Sequence, residues 1–83
     1  MNIDAPIADR KLWDNGGNYC RVTMYKIGLD SFEVYFHDFN DAVPRRAVGG
    51  LGILNNTVDH WLRCKKAEGF IEQLPSYNPA VIV

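Results

Sequence analysis

The chain is predicted to fold as an α+β domain, a small antiparallel sheet with one main helix packed on one face. Three observations carry that expectation. Two adjoining segments, YCRVTMYKI (19–27) and SFEVYFHDF (31–39), alternate β-branched and aromatic residues with polar ones, as a half-buried strand does. A later segment, TVDHWLRCKKAE (57–68), repeats apolar side chains at helical spacing. The 83 residues are 47% hydrophobic and 23% charged, enough for one modest core and no second lobe, so residues 1–83 are read as a single domain.

The first element has two readings. Asp4-Ala5-Pro6 can open a short helix that runs to Trp13 and is stopped by Gly16 or Gly17. Alternatively, Asn15-Gly16 turns a strand RKLWD back onto the segment that follows, making a meander.

The hairpin over 19–38 is the clearest element, and its register can be argued. A two-residue loop would put Cys20, Val22 and Met24 on the same face as Glu33, Tyr35 and His37. A three-residue loop, Gly28-Leu29-Asp30, or a five-residue loop of the same parity, which the poor turn chemistry of Leu29-Asp30 leaves open, aligns Val22 with Phe36 and Met24 with Val34 instead. The second choice separates apolar from polar side chains, and register follows that separation wherever one face is buried. It leaves Arg21, Thr23, Tyr25 and Ile27 facing outward opposite His37, Tyr35, Glu33 and Ser31.

Residues 40–55, from NDAVPRR through the glycines, read as a long connection from sheet to helix. The helix is placed at about 57–68, with Asn56 as N-cap and Asp59 three residues on. Val58, Trp61, Leu62 and the stem of Lys65 make its buried stripe, Arg63 and Lys66 face away, and Gly69 supplies a left-handed C-terminal cap. A hairpin is rarely stable alone, so one or two further strands are expected, from FIEQL (70–74) and AVIV (80–83), with Pro75 and Pro79 between them. An apolar terminal strand can also offer its edge to a second copy, so a homodimer through an exposed edge is among the expected assemblies.

Composition narrows the function classes. The net charge of −1 is unevenly spread, with seven acids against four bases over residues 1–42 and five bases against three acids over 43–83. That is a mild dipole, far from the strongly basic balance of a dedicated nucleic-acid binder. Two cysteines do not make a disulfide scaffold, and MNIDAPIADRKLW lacks the apolar run of a secretory signal. The longest apolar stretch, AVGGLGIL, is far shorter than the roughly 20 residues a membrane span needs. The expectation is a soluble, reduced, cytoplasmic protein with no membrane partner.

Catalytic and metal chemistry find little to stand on. Cys20, His37, His60 and Cys64 are the metal-ligating types, and His60 and Cys64 are spaced i, i+4 on the helix. The hairpin register, however, turns Cys20 into the core and His37 out of it. A Cys64–His60 nucleophile pair lacks an orienting third group and an oxyanion site, and a chain this short leaves little room for a pocket. Gly49, Gly50 and Gly52 match neither a P-loop nor a dinucleotide fingerprint. No catalytic residue, metal or cofactor is therefore expected, and the chain is read as a non-enzyme.

What remains is surface. The outward hairpin set offers tyrosine and arginine, which are enriched at protein hot spots. Arg21, Tyr25, Glu33, Tyr35, His37, Asp38 and Asp41 are the expected contacts with a protein or ribonucleoprotein partner. The expected role is that of an inhibitor or adaptor that occludes a macromolecule, of the kind phages and mobile elements use as anti-defence (anti-CRISPR) proteins. The competing expectation is a nucleic-acid-binding module using Arg45, Arg46, Arg63 and Lys66, should they gather into one basic patch.

Overall fold

A computed structural model describes residues 5–73. Five strands form one antiparallel sheet, β1 (Ala8–Trp13), β2 (Tyr19–Lys26), β3 (Phe32–His37), β4 (Arg45–Gly49) and β5 (Ile71–Gln73), in the order β4-β3-β2-β1-β5. One helix, α1 (Leu51–Ala67), lies between β4 and β5 in the chain and packs on one face of the sheet. The α+β expectation holds.

Of the two readings for the first segment, the strand is the one adopted. Ala8, Arg10 and Leu12 pair with Met24, Val22 and Cys20, which puts Leu12 in the core and Trp13 on the far side. The turn into β2 is organised by one carboxylate. Asp14 accepts hydrogen bonds from the Gly16 and Asn18 backbone N–H groups (2.9 and 2.8 Å) and from the Asn18 amide (2.8 Å). Gly17 takes φ +83°, a conformation strained for any residue with a side chain. Glycine is needed at 17 rather than at 16.

The β2–β3 register is the one that separates apolar from polar. Val22 pairs with Phe36 and Met24 with Val34, and the last pair is Lys26 with Phe32, so residues 27–31 link the strands, closed by the Ile27 N–H donating to the Ser31 carbonyl (2.9 Å). The period-2 pattern thus decided the geometry even though Leu29-Asp30 is poor turn chemistry.

Residues 40–55 are not one long connection. The link ends before β4, and Arg45, Ala47 and Gly49 pair with Phe36, Val34 and Phe32. The helix then begins at Leu51, six residues before the expected start, with Gly50 as its N-cap. Asn56 is inside the helix and caps nothing. The early start has a packing cause: Leu54 lies four residues before Val58 and extends the same stripe, so Leu54, Val58, Trp61, Leu62 and Lys65 are all buried. Gly52, Ile53 and two asparagines are modest helix formers, and burial of Leu54 outweighs their propensities.

The helix ends as its sequence predicts. Gly69 sits at φ +106°, the Gly69 N–H donates to the Lys66 carbonyl (3.1 Å) and the Phe70 N–H to the Lys65 carbonyl (3.0 Å). This pair of bonds is the Schellman arrangement, and buried Phe70 supplies its hydrophobic contact. FIEQL contributes β5, which adds to β1 at the sheet edge opposite β4. AVIV (80–83) lies outside the described residues.

One core joins sheet and helix: Leu12, Cys20, Val22, Met24, Val34, Phe36, Leu54, Val58, Trp61, Leu62 and Phe70. Phe36 and Trp61 meet with ring centroids 5.3 Å apart. No helix among the described residues is long and apolar enough to cross a membrane.

Candidate functional site

Strand alternation gives the sheet a second face, turned away from α1. β1 contributes Asp9, Lys11 and Trp13; β2 contributes Tyr19, Arg21, Thr23 and Tyr25. β3 adds Glu33, Tyr35 and His37, β4 adds Arg46 and Val48, and β5 adds Ile71 and Gln73. None of the described residues forms a layer over this outer face, and Trp13, Val48 and Ile71 on it are exposed.

Its aromatics form two groups. Trp13 and Tyr19 lie 4.4 Å apart between centroids, and the Trp13 indole donates to the Gln73 amide oxygen (3.2 Å), tying the pair to β5. Tyr25 and Tyr35 meet edge-on at 6.0 Å across β2 and β3. Rings held by neighbours lose little freedom when a partner covers them, which is what makes tyrosine and tryptophan efficient contact residues.

The charges on this face are matched in pairs. Arg21 clasps Asp9 with two hydrogen bonds (2.9 and 2.8 Å), and Arg46 donates to Glu33 (2.8 Å). The Arg21 hydrogen bond, against a small cost of burial, holds the Asp9 carboxyl below its ordinary range. With both arginines neutralised, the face presents aromatic and apolar surface broken by paired charge and by Lys11 and His37.

The expected contact residues divide accordingly. Arg21, Tyr25, Glu33, Tyr35 and His37 share the outer face. Asp38 does not. Its carboxylate pairs with the Lys65 ammonium on the helix side, with only 8% and 12% of the lysine and aspartate side chains exposed. Asp41 belongs to the β3–β4 link and pairs with Arg45 at 3.6 Å. The sequence reading missed Trp13, Tyr19 and Ile71, because it left β1 unassigned between helix and strand and β5 without a neighbour. The signal was the alternation in RKLWD, where Leu12 and Trp13 must point to opposite faces.

The expected basic patch forms only in part. Arg45 and Arg46 both border a groove beside α1, Arg46 reaching Glu33 on the outer face, whereas Arg63 and Lys66 are on the helix surface, with Lys66 paired to Glu72 at 3.1 Å. Glu72 also accepts two hydrogen bonds from Arg10, whose effect, offset in part by burial and helped by Lys66, keeps that carboxyl below its ordinary range.

Lys65 is the most heavily committed charge. Its ammonium meets Asp38 and Glu68 and stands 5.6–6.0 Å from the ring centroids of Phe39, Trp61 and Phe70. Burial pushes the Asp38 carboxyl up, but the Lys65 hydrogen bond and charge outweigh it and leave the group below its ordinary range.

The helix-side thiol and imidazole do meet. Cys64 Sγ and His60 Nε2 are 3.6 Å apart on the helix surface. They border a groove of about 610 Å³ between α1 and β4, larger than a chain of this size was expected to hold. Cys20 is buried, its thiol donating to Asp38 (3.8 Å), and His37 lies on the other face. Among the described residues no three His, Cys, Asp or Glu side chains converge as a metal site.

No family model, curated protein or solved structure matches the chain. The outer face is therefore read from its own chemistry.

Proposed function

We propose that this chain is a non-enzymatic protein-interaction domain that works by seating its outer sheet face on a macromolecular partner, occluding or bridging it. The observation that carries the reading is the aromatic outer face: Trp13, Tyr19, Tyr25 and Tyr35, supported by one another and by Gln73, with no described layer over them. The charge pattern favours a protein over a polyanion. A single-strand nucleic-acid platform combines stacking rings with unneutralised cations, whereas here Arg21 and Arg46 are each taken up by a carboxylate. The pairing of Arg45, Arg46 and Lys66 with Asp41, Glu33 and Glu72 also weighs against the nucleic-acid alternative.

The face separates binding from folding, which makes the proposal testable. Trp13→Ser and Tyr25→Ser remove contact area at exposed or half-buried positions, so the melting temperature should move by no more than a few degrees. Partner affinity should fall by about 30-fold or more for at least one of them, the mark of a hot spot. Binding that survives both substitutions, or retention on a DNA or RNA column that is lost steeply with salt, would sink the reading.

A further inference from the structure

The groove on the helix side stands apart from the outer face, and the reading of that face does not bear on it. Along α1 the groove is edged by one stripe, Thr57, His60, Cys64 and Glu68. His60 and Cys64, both exposed, are one turn apart in the middle of the stripe, and their side chains converge, with Sγ and Nε2 3.6 Å apart. A tetrahedral ion that holds a thiolate at about 2.3 Å and an imidazole nitrogen at about 2.0–2.1 Å keeps those two atoms about 3.5–3.6 Å apart. The helix sets the two donors at the spacing of a chelate, so little side-chain freedom remains to be lost when an ion enters.

The surroundings favour a cation. Of the bases lining the groove, Arg45 is paired with Asp41, Arg46 with Glu33, and Lys65 with both Asp38 and Glu68. Three bases thus meet four acids, and Glu68, half-exposed and one turn beyond Cys64, has only a share of the Lys65 charge. A thiolate with an imidazole is a soft to borderline donor set. It selects zinc-class ions over magnesium or calcium, whose ligands are oxygens.

We propose that His60 Nε2 and Cys64 Sγ chelate a divalent transition-metal ion of the zinc class at the rim of the groove. The thiol gives its proton to solvent as the ion binds, and water takes the coordination positions that the chain leaves open. Among the described residues no further His, Cys, Asp or Glu joins the pair, and neither Cys20 nor His37 is needed.

Two donors are half the set of a structural zinc site, so the expected Kd is of the order of 10 µM. The reduced full chain is titrated with Co²⁺, whose sulfur-to-metal charge-transfer band appears only when a thiolate binds it. A saturable band is expected, and Zn²⁺ added afterwards should bleach it. Cys64→Ser should abolish the band and His60→Ala should weaken binding by about tenfold or more, while both variants, altered at exposed positions, melt within a few degrees of wild type. On the unsubstituted chain, Zn²⁺ at about 100 µM should slow alkylation of Cys64 by iodoacetamide about tenfold, as mass action at that Kd requires. No cobalt band up to about 1 mM, a band that survives Cys64→Ser, or cobalt affinity and zinc protection unchanged by His60→Ala overturns the proposal.

Discussion

Asp38→Ala is expected to be among the most destabilising single changes in this chain, costing about 3 kcal/mol. The substitution leaves the Lys65 ammonium buried among Phe39, Trp61 and Phe70 with only the half-exposed Glu68 for a partner. For a domain of this size that corresponds to a fall in melting temperature of roughly 12–24 °C. Pairing Asp38→Asn with Lys65→Met should recover much of the loss, because a buried pair replaced by uncharged side chains is often neutral. The pH dependence has a definite sign. The folded Asp38 pKa lies below its unfolded value, so its contribution is complete above about pH 4 and drains away as pH falls through the folded pKa. Lys65 is shifted up: burial opposes the shift, but Asp38 and Glu68 outweigh it, so its contribution persists until pH rises beyond the ordinary lysine range. The melting gap between wild type and Asp38→Ala should be flat from about pH 5 to 9 and narrow below about pH 4. A gap that widens in acid would show that Asp38 is not the paired carboxylate.

Leu12→Ala is expected to cost a comparable amount, about 3 kcal/mol, while its neighbour Trp13→Ser costs less than about 1 kcal/mol. Leu12 is fully buried between β2 and β5, where the strand leaves no solvent to fill the lost volume. Trp13 points to the other face. Chemical denaturation of the two variants reads the alternation of β1 directly. Equal losses would mean that RKLWD does not present opposite faces, and the outer face would then lose its tryptophan.

The legibility of this fold followed the length of each periodic segment. The hairpin carried enough alternating positions to settle its register, and with it the separation of Cys20 from His37. The helix was recognisable from Val58 to Gly69, but its first six residues were masked by Gly52 and by Asn56, a plausible cap that packing bypasses. Leu54 was the available clue, one turn ahead of Val58 on the same stripe. β4 was missed because RRAVG shows almost no alternation of polarity, and it is strand chiefly because β3 offers it an edge. The Lys65–Asp38 pair was out of reach for a different reason. It joins residues far apart in sequence: the buried stem of Lys65 was legible from the helix stripe, but nothing in the sequence pointed its ammonium to Asp38, which read as a contact residue. Part of the outer face was legible: Arg21, Tyr25, Glu33, Tyr35 and His37 followed from one register, whereas Trp13, Tyr19 and Ile71 needed the two outer strands to be placed.

The central claim is that partners meet the outer sheet face. Photo-crosslinking reads this at single positions, with benzoylphenylalanine placed at Tyr25 or Trp13 on that face and at Arg63 or Lys66 on the helix, in cells that carry the chain's partners. The account predicts protein adducts from positions 25 and 13 and none above background from 63 and 66. Adducts confined to 63 and 66, or crosslinks to nucleic acid from those positions, would contradict it.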